Sequence, residues 1–409
     1  MKIGINGRFL VAKQTGVQRV ARNLIATLVA IDQENEYVIF TSKDERGKPE
    51  WQFPNVKIVP VDLHIGRVFR NSIWEQISLP RLAKQYKIDI LHSPANMAPL
   101  FYKGKSILHI HDLCFVVNPT WYSFAFRTWY NFVVPLLTRT VDRVITNSNN
   151  SRNDLLLFCQ LPVKQVSLVY WAVGDKFRQT QSKEEKTPSP FEYILYVGSL
   201  EPRKNIKTLL QAYTQLREAD PTIKTKLMLI GTGNPLFKKI NLSLGPFADD
   251  IILQGFIEDD VLRRFYREAK LVVYPSLYEG FGLPPLEAMA SGVPVVTSNT
   301  SSLPEVVGKA ALTVDPLNGT ELAEAMKRGL LDEPLRQDLI RKGYEQVSRF
   351  NWYRVARNVI SIYYEVYHTK KNGRDAHTVS IPFETWNRLY QLEEEMHNKE
   401  SDPHATSTY

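Results

Sequence analysis

Two hydrophobic rhythms alternate along the chain. Short apolar runs rich in β-branched and aromatic residues, "KIGING", "EYVIFT", "VKIVPV", "DILHS", "SILHIHD" and "RVITNS", predict strands. Most are separated by stretches with helical periodicity, as in residues 17–30, "VQRVARNLIATLVA". Strands alternating with helices predict a parallel sheet covered on both faces. The rhythm then repeats. "YILYVG", "KLMLIG", "DIILQG", "LVVYPS" and "PVVTS" each run into Gly, Pro or Ser before helical segments such as residues 205–218 and 259–269. Between the two sets, residues 178–190 are polar and charged, with Pro188 and Pro190 bracketing Ser189, which suits an exposed linker.

The pattern therefore predicts an α/β protein of two Rossmann-like, doubly wound lobes, residues 1–177 and 191–350, facing across a cleft. Ligands of such sheets bind beyond the strand C-termini, so the turns that follow the strands should assemble the site. Residues 351–368 predict an amphipathic helix, with Asn351 as N-cap and Val355, Val359, Ile362 and Val366 on one face, closing the second lobe. The tail, residues 369–409, starts basic and polar. It continues as "TVSIPFETWNRLYQLEEEM", a short strand-like run and a helix with Phe383, Trp386 and Leu389 at helical spacing, and ends in a segment read as disordered. That apolar helical face predicts docking, either on a second copy in a homodimer or on the chain's own lobes. The aromatic segment 119–137, "PTWYSFAFRTWYNFVVPLL", has two readings: core packing, the commoner use of such residues, or a surface for sugars or lipid headgroups.

Composition narrows the partners. Of 409 residues, 44% are hydrophobic and 23% charged, a globular balance, and no apolar run approaches a membrane span. "MKIGINGRF" reads as a first strand rather than a secretory segment, which points to the cytoplasm, with contact at most to the inner face of a membrane. Two cysteines, Cys114 and Cys159, support neither a disulfide framework nor a zinc site. Fifty-one Lys and Arg against 43 Asp and Glu give +8, which favours anionic partners such as phosphates. The basic excess has no aromatic-interleaved stripe, so nucleic acid is disfavoured. No Asp-x-Asp triplet occurs, so a carboxylate-bridged metal–diphosphate site has no visible ligands, and no cofactor is expected.

The densest chemistry lies in "PSLYEGFGLPPLEAM", residues 275–289. Gly280 and Gly282 after a strand let the backbone approach a ligand, and Pro284 and Pro285 suit the start of a helix whose N-terminus would cradle an anion. Glu287, placed in the first helical turn, can accept two hydrogen bonds from a vicinal diol such as a ribose. A lone glutamate there would be read as an acid favoured by the helix dipole. The two glycines and the second carboxylate, Glu279, favour a binding site instead. Arg203 and Lys204 read by themselves as a solvated basic turn, Gly16 in "KQTGVQ" as a loop glycine that admits a phosphate or acceptor or merely turns the chain, and Gly231 and Gly233 as a weak nucleotide-proximal signal. His92 and His109 read as core or cleft-wall residues.

The stretch "PSLYEGFGLPPLEAMASGVPVVTSNTSSLPEVVG" resembles the signature of glycosyltransferase family 4, the retaining GT-B enzymes, with Glu279 and Glu287 matching its Glu-x7-Glu motif. "YVGSLEPRKN", "LIGTG", "LQGFIEDDVLRRFYREAKLVVYPS", "HIHDLCF" and "DRVITNSNNSRNDL" extend the likeness to about residue 368. The resemblance implies that Glu287 holds the donor ribose and that Glu279 lies by the transferred sugar. The backbone of Gly280, Phe281, Gly282 and Leu283 would meet the diphosphate or sugar, with Ser199, Gly231, Gly233 and Ile257 also on the donor side. Arg203 and Lys204 would neutralise the leaving diphosphate without metal, and His111 would contact a sugar hydroxyl. Many relatives carry an arginine where this chain has Ser199, and Arg203 is the nearest replacement.

The wording of "GSLEPRKN" and "TSSLPE" is most like the mannosyltransferase branch, which implies transfer of mannose from GDP-mannose to a growing polysaccharide or lipid-linked oligosaccharide, with UDP-hexoses behind. A sugar-nucleotide 2-epimerase shares the two-lobe architecture but not this motif context. A non-catalytic nucleic-acid or protein-binding module would use the basic surface and the tail, which faintly resembles the opening of a ribbon-helix-helix unit.

Overall fold

The computed structural model describes residues 1–12, 16–64, 68–178, 189–233 and 243–369. Most of the expected linker and all of the tail beyond residue 369 lie outside the described residues.

Among the described residues, thirteen strands form two sheets. The first has seven strands in the order β3-β2-β1-β4-β5-β6-β7, namely β1 (Lys2–Asn6), β2 (Glu36–Thr41), β3 (Val56–Pro60), β4 (Ile90–Ser93), β5 (Lys105–His109), β6 (Arg143–Thr146) and β7 (Val166–Leu168). The second has six in the order β10-β9-β8-β11-β12-β13, namely β8 (Tyr193–Val197), β9 (Lys226–Ile230), β10 (Ile251–Gln254), β11 (Leu271–Tyr274), β12 (Val295–Ser298) and β13 (Leu312–Val314). Every pairing is parallel, from Ile3 opposite Tyr37 to Ser298 opposite Val314. The central strands β4, β11 and β12 are buried along their whole length, as expected of a parallel sheet covered on both faces. Strand order reverses between β1 and β4 in one sheet and between β8 and β11 in the other. Those reversals open crevices at the strand C-termini.

The helix Gly16–Ile31 after β1 buries Val20, Ala21, Leu24, Ile25 and Leu28, the face its periodicity predicted. The last described helix, Trp352–His368, is capped by the Asn351 side chain, which accepts from the Arg354 N–H, and buries Val355, Val359, Ile362 and Val366. Its expected role changes, however. Its later turns pack on the first lobe: Tyr363 Oη lies 2.6 Å from His92 Nδ1, Tyr364 Oη donates to Glu34 at 2.9 Å, and Glu365 pairs with Arg143 at 3.0 Å. Periodicity showed an apolar face; it could not show which lobe that face would meet. The helix joins the two lobes through one continuous apolar core.

Buried His92 stacks on His109 at 4.8 Å, and desolvation lowers its pKa to about 3, so it is a neutral core residue. Cys114 and Cys159 are buried free thiols. The aromatic segment is buried on one side and exposed on the other. Phe115, Phe126 and Tyr130 pack ring on ring, and Val134 and Leu137 are buried, whereas Phe124, Trp129 and Phe132 of the helix Phe124–Thr140 are exposed. Among the described residues no helix is long and apolar enough to cross a membrane.

Candidate active site

Three strand ends of the second sheet converge. After β8, the chain turns through Gly198 and Ser199 into a short 3-10 turn, Pro202–Lys204, closed by Asn205 in the left-handed region at φ 59°. The Asn205 amide donates to the carbonyls of Pro275 at 3.1 Å and Pro316 at 2.7 Å, and the Leu277 N–H donates to Arg203 O at 2.8 Å. These bonds tie the basic turn to the loop that leaves β11. After β9, Gly231 adopts φ +148°, and a Cβ there would lie 1.9 Å from Gly198 O, so only glycine lets these two turns meet. Gly233 lies in open space, Ser199 O accepts from Tyr196 Oη at 3.1 Å, and Ile257 is half-buried against the core.

The basic turn and the first glutamate form one charged cluster. Lys204 Nζ donates to Glu279 Oε1 at 2.5 Å and Arg203 Nη1 donates to Glu279 Oε2 at 2.9 Å, while Tyr274 Oη reaches Glu279 Oε1 at 3.0 Å. Arg203 Nε also lies 2.6 Å from Glu201 Oε1, close enough for an ion pair although not aligned as a hydrogen bond. Glu201, Lys204 and Glu279 are all buried. Burial alone would raise the Glu279 pKa, but Arg203 and Lys204 outweigh it and hold the carboxyl at about 2. Burial, reinforced by the adjacent Arg203, pushes Lys204 below its ordinary value, while the two carboxylates keep Arg203 well above its own. The expected basic turn is thus no solvated face.

The glycine turn is fastened from the far side. Ser302 Oγ donates to Glu279 O at 2.9 Å and to Phe281 O at 2.8 Å, and Glu279 N–H donates to Ser301 Oγ at 3.0 Å. Gly282, at φ +112°, caps the helix Leu283–Ala290. Two expectations change here. Glu287 lies in the second helical turn rather than the first, because the helix starts at Leu283. Pro284 and Pro285 also occupy the second and third helical positions and carry no N–H, so of the first three positions only Leu283 offers a donor. The anion cradle is poorer in amides than the motif suggested, and the burden of charge falls on side chains.

The first lobe closes over this turn. A Cβ on Gly280 would lie 2.3 Å from His111 O, and the Ser151 hydroxyl lies 3.3 Å from both His111 O and Gly280 O. The buried His111 ring has Nε2 3.0 Å from Pro94 O and packs on Trp171 at 4.8 Å, and burial lowers its pKa to about 4. The backbone carbonyl of His111 meets the glycine turn. Phe281 is buried against Tyr170, Trp171 and Phe350. Tyr278 Oη donates to Asp154 at 2.6 Å, and the Glu305 carboxylate accepts the Asn149 and Asn150 N–H groups at 2.9 and 3.1 Å, capping a first-lobe helix from the second lobe. Gly16 faces Leu283, with 4.0 Å from its ideal Cβ to the Leu283 side chain. Glu287 is only 2% exposed; Tyr266 Oη donates to Oε2 at 3.0 Å and the Arg19 guanidinium donates to Oε1.

Sequence reasoning brought Glu279, Arg203, Lys204, Gly280 and Gly282 into one place. It missed Arg19, Glu201, Tyr266, Tyr274, Ser301 and Ser302. The two serines stood within "TSSLPE" and could have been found as hydroxyls at a strand end. Arg19 meets Glu287 across 268 positions, and nothing local marks it.

Two parallel sheets with opposed switch points, and a charged turn between them, define a two-lobed GT-B fold. The chain matches the profile of Glycosyltransferase Family 4 over residues 14–175 and that of Glycosyl transferases group 1 over residues 177–346. It belongs to glycosyltransferase family 4. It is 29% identical over 303 residues to the O-antigen chain mannosyltransferase B of Escherichia coli, covering 68% of this chain and 75% of that one. It is 32% identical over 280 residues to the serotype-specific mannosyltransferase WbdA of Escherichia coli, covering 65% of this chain but only 34% of that longer protein. The fold superposes on sucrose-phosphate synthase from Thermosynechococcus elongatus with a TM-score of 0.68 at 22% identity, covering 89% of this chain and 98% of that one.

Proposed function

We propose that this glycosyltransferase is a retaining enzyme that moves mannose from GDP-mannose to a growing polysaccharide or lipid-linked oligosaccharide. The observation that carries this reading is the buried clasp of Arg203 and Lys204 on Glu279, at the switch point of the second sheet and under the first lobe. A diphosphate arriving there finds a planar guanidinium and an ammonium, which stabilise the charge that grows as it leaves. Glu279 holds both cations in place beside the transferred sugar. The acceptor hydroxyl attacks on the face that the diphosphate vacates, and the leaving phosphate helps to deprotonate it. The mannose donor is favoured by the two Escherichia coli relatives.

For the acceptor, a cavity of about 680 Å³ opens beyond the C-terminal ends of β1, β2 and β3 in the first lobe. Arg22, Asp44, Glu45, Lys48 and His64 are among its lining residues, a mixed polar wall suited to a hydroxyl-rich glycan. Exposed Phe124, Trp129 and Phe132, with Arg127 beside Phe124, would seat the protein at the headgroups of a membrane that carries a lipid-linked acceptor.

A panel of GDP- and UDP-sugars, assayed for hydrolysis, epimerisation and transfer, tests the reading. Transfer of mannose with retained configuration is expected; epimerisation without transfer would replace it. Excess EDTA should leave turnover unchanged, because the two cations supply the charge that a metal otherwise brings. A rate that falls with chelator and returns with magnesium or manganese would overturn the metal-independent route.

Glu287 is assigned to the donor ribose. Glu287→Ala should weaken GDP binding by about 2 kcal/mol, roughly 30-fold, through loss of charge-assisted hydrogen bonds. Arg19 retains Asp259 at 3.0 Å in that variant, so the fold should survive. Calorimetry and a melting curve check both points, and an unchanged affinity in a folded variant would remove the assignment.

A further inference from the structure

Glu287 is already occupied. Its carboxylate takes Tyr266 on one oxygen and Arg19 on the other, and no more than a sliver of the side chain reaches solvent. Tyr266 belongs to the same lobe as Glu287, whereas Arg19 comes from the first turn of the Gly16–Ile31 helix in the other lobe. Each oxygen of the buried carboxylate already accepts one hydrogen bond, so a ribose that reaches it competes with Arg19 or Tyr266.

The surroundings of Arg19 suit a group that changes partner. Its second nitrogen lies 3.0 Å from Asp259, and its guanidinium carbon lies over the Phe177 ring at 5.5 Å from the centroid. Asp259 is shared with Lys176 at 3.1 Å. If Arg19 leaves Glu287, it keeps a carboxylate and an aromatic face, so the guanidinium is not stranded, and Glu287 is left to hydroxyl donors alone. Tyr266 meanwhile continues to orient the other oxygen of Glu287. Arg19 and Lys176 thus pair with Asp259 and Glu287 across the lobes, and Lys176 also lies 3.6 Å from the exposed Asp260.

We propose that Arg19 is a specificity-determining latch: it and the donor's ribose diol are alternative partners of Glu287, so donor binding exchanges an interlobe ion pair for hydrogen bonds to the nucleotide. The inference rests on Glu287 as the ribose acceptor. The latch lowers the apparent value of the diol, because every ribonucleotide that binds must first displace Arg19. It also ties ribose recognition to the approach of the two lobes.

The test measures how strongly each protein prefers a ribonucleotide over its 2′,3′-dideoxy analogue. Affinities for GDP and 2′,3′-dideoxy-GDP, and for the UDP pair in parallel, give a ratio in which attraction of Arg19 for the phosphates cancels. In Arg19→Gln the ratio should rise about tenfold over wild type, because the diol no longer competes with a guanidinium. Arg19→Lys, which restores a cation opposite Glu287, should bring the ratio back towards wild type. A ratio in Arg19→Gln that is unchanged or lower would overturn the latch; a fall would mean that Arg19 helps Glu287 hold the ribose. Glu287→Ala separates the two ideas. If it abolishes the preference while Arg19→Gln leaves it untouched, the ribose assignment stands and the latch fails. A preference that survives in Glu287→Ala, or a wild-type protein that binds neither GDP nor UDP, defeats both.

Discussion

Replacing Glu279 by alanine is expected to cost about 3–5 kcal/mol of stability, the usual penalty for breaking a buried ion pair from one side. The carboxylate is the shared partner of Arg203 and Lys204, and Lys204 is buried with Tyr274 as its other bonded neighbour. Without Glu279, two neighbouring buried cations lose their shared carboxylate, with Glu201 still 2.6 Å from Arg203. Set against a typical domain stability of about 5–15 kcal/mol, such a loss shifts the melting temperature by several degrees or more. Glu279→Gln keeps the shape and one acceptor oxygen but sets an amide N–H2 against a donor of Arg203 or Lys204, so it should recover only part of the stability lost in alanine. It should still lose about 10²-fold or more in kcat, since the cations are no longer aimed. Chemical denaturation and single-turnover kinetics read the two effects separately. An alanine variant of native stability would show that the cluster is not held through Glu279. The pH dependence has a fixed sign. The folded-state pKa of about 2 lies below the ordinary 4.5, so this stabilisation is complete above the unfolded value and fades as pH falls towards 2.

Arg203→Ala is expected to lower kcat roughly 10²-fold and to affect donor affinity less, because the charge it meets grows towards the transition state. In the proposed mechanism Arg203 supplies the planar fork that Lys204 cannot. Its position fits: Nε faces Glu201 and Nη1 faces Glu279, which fixes the guanidinium at the base of the glycine turn. Stability should fall too, by about 3 kcal/mol, since Glu201 is left buried without its ion-pair partner. Arg203→Lys should recover part of the rate and most of the stability. Donor Kd and kcat measured on the same folded preparation decide the matter. A near-native kcat in Arg203→Ala would move the second positive group elsewhere, with the first lobe the next place to search.

Much of this site was legible because its parts are contiguous. The turn from Glu279 to Gly282 sits between a strand and a helix whose periods differ, and that change marks it without any tertiary information. Charge in "EPRKN" was legible, but its partner was not. Lys204 and Glu279 are 75 positions apart and meet because β8 and β11 are neighbours at a strand reversal. The prolines misled for a related reason. They do favour the start of a helix, yet their position within it decides how many N–H groups remain.

The chain by itself determined the local elements and their faces: which runs are strands, which positions of Gly16–Ile31 and Trp352–His368 are apolar, and where glycine frees the backbone. Those follow from short-range sterics and from the period at which apolar residues recur. Tertiary structure alone decided that the last described helix crosses to the first lobe, that Glu305 caps a helix of the opposite lobe, that the His111 ring meets the Pro94 carbonyl, and that Glu287 is held by Arg19. Each is a contact between groups far apart in sequence. Such contacts depend on how the two sheets are placed against each other, and no periodicity within either lobe encodes that placement.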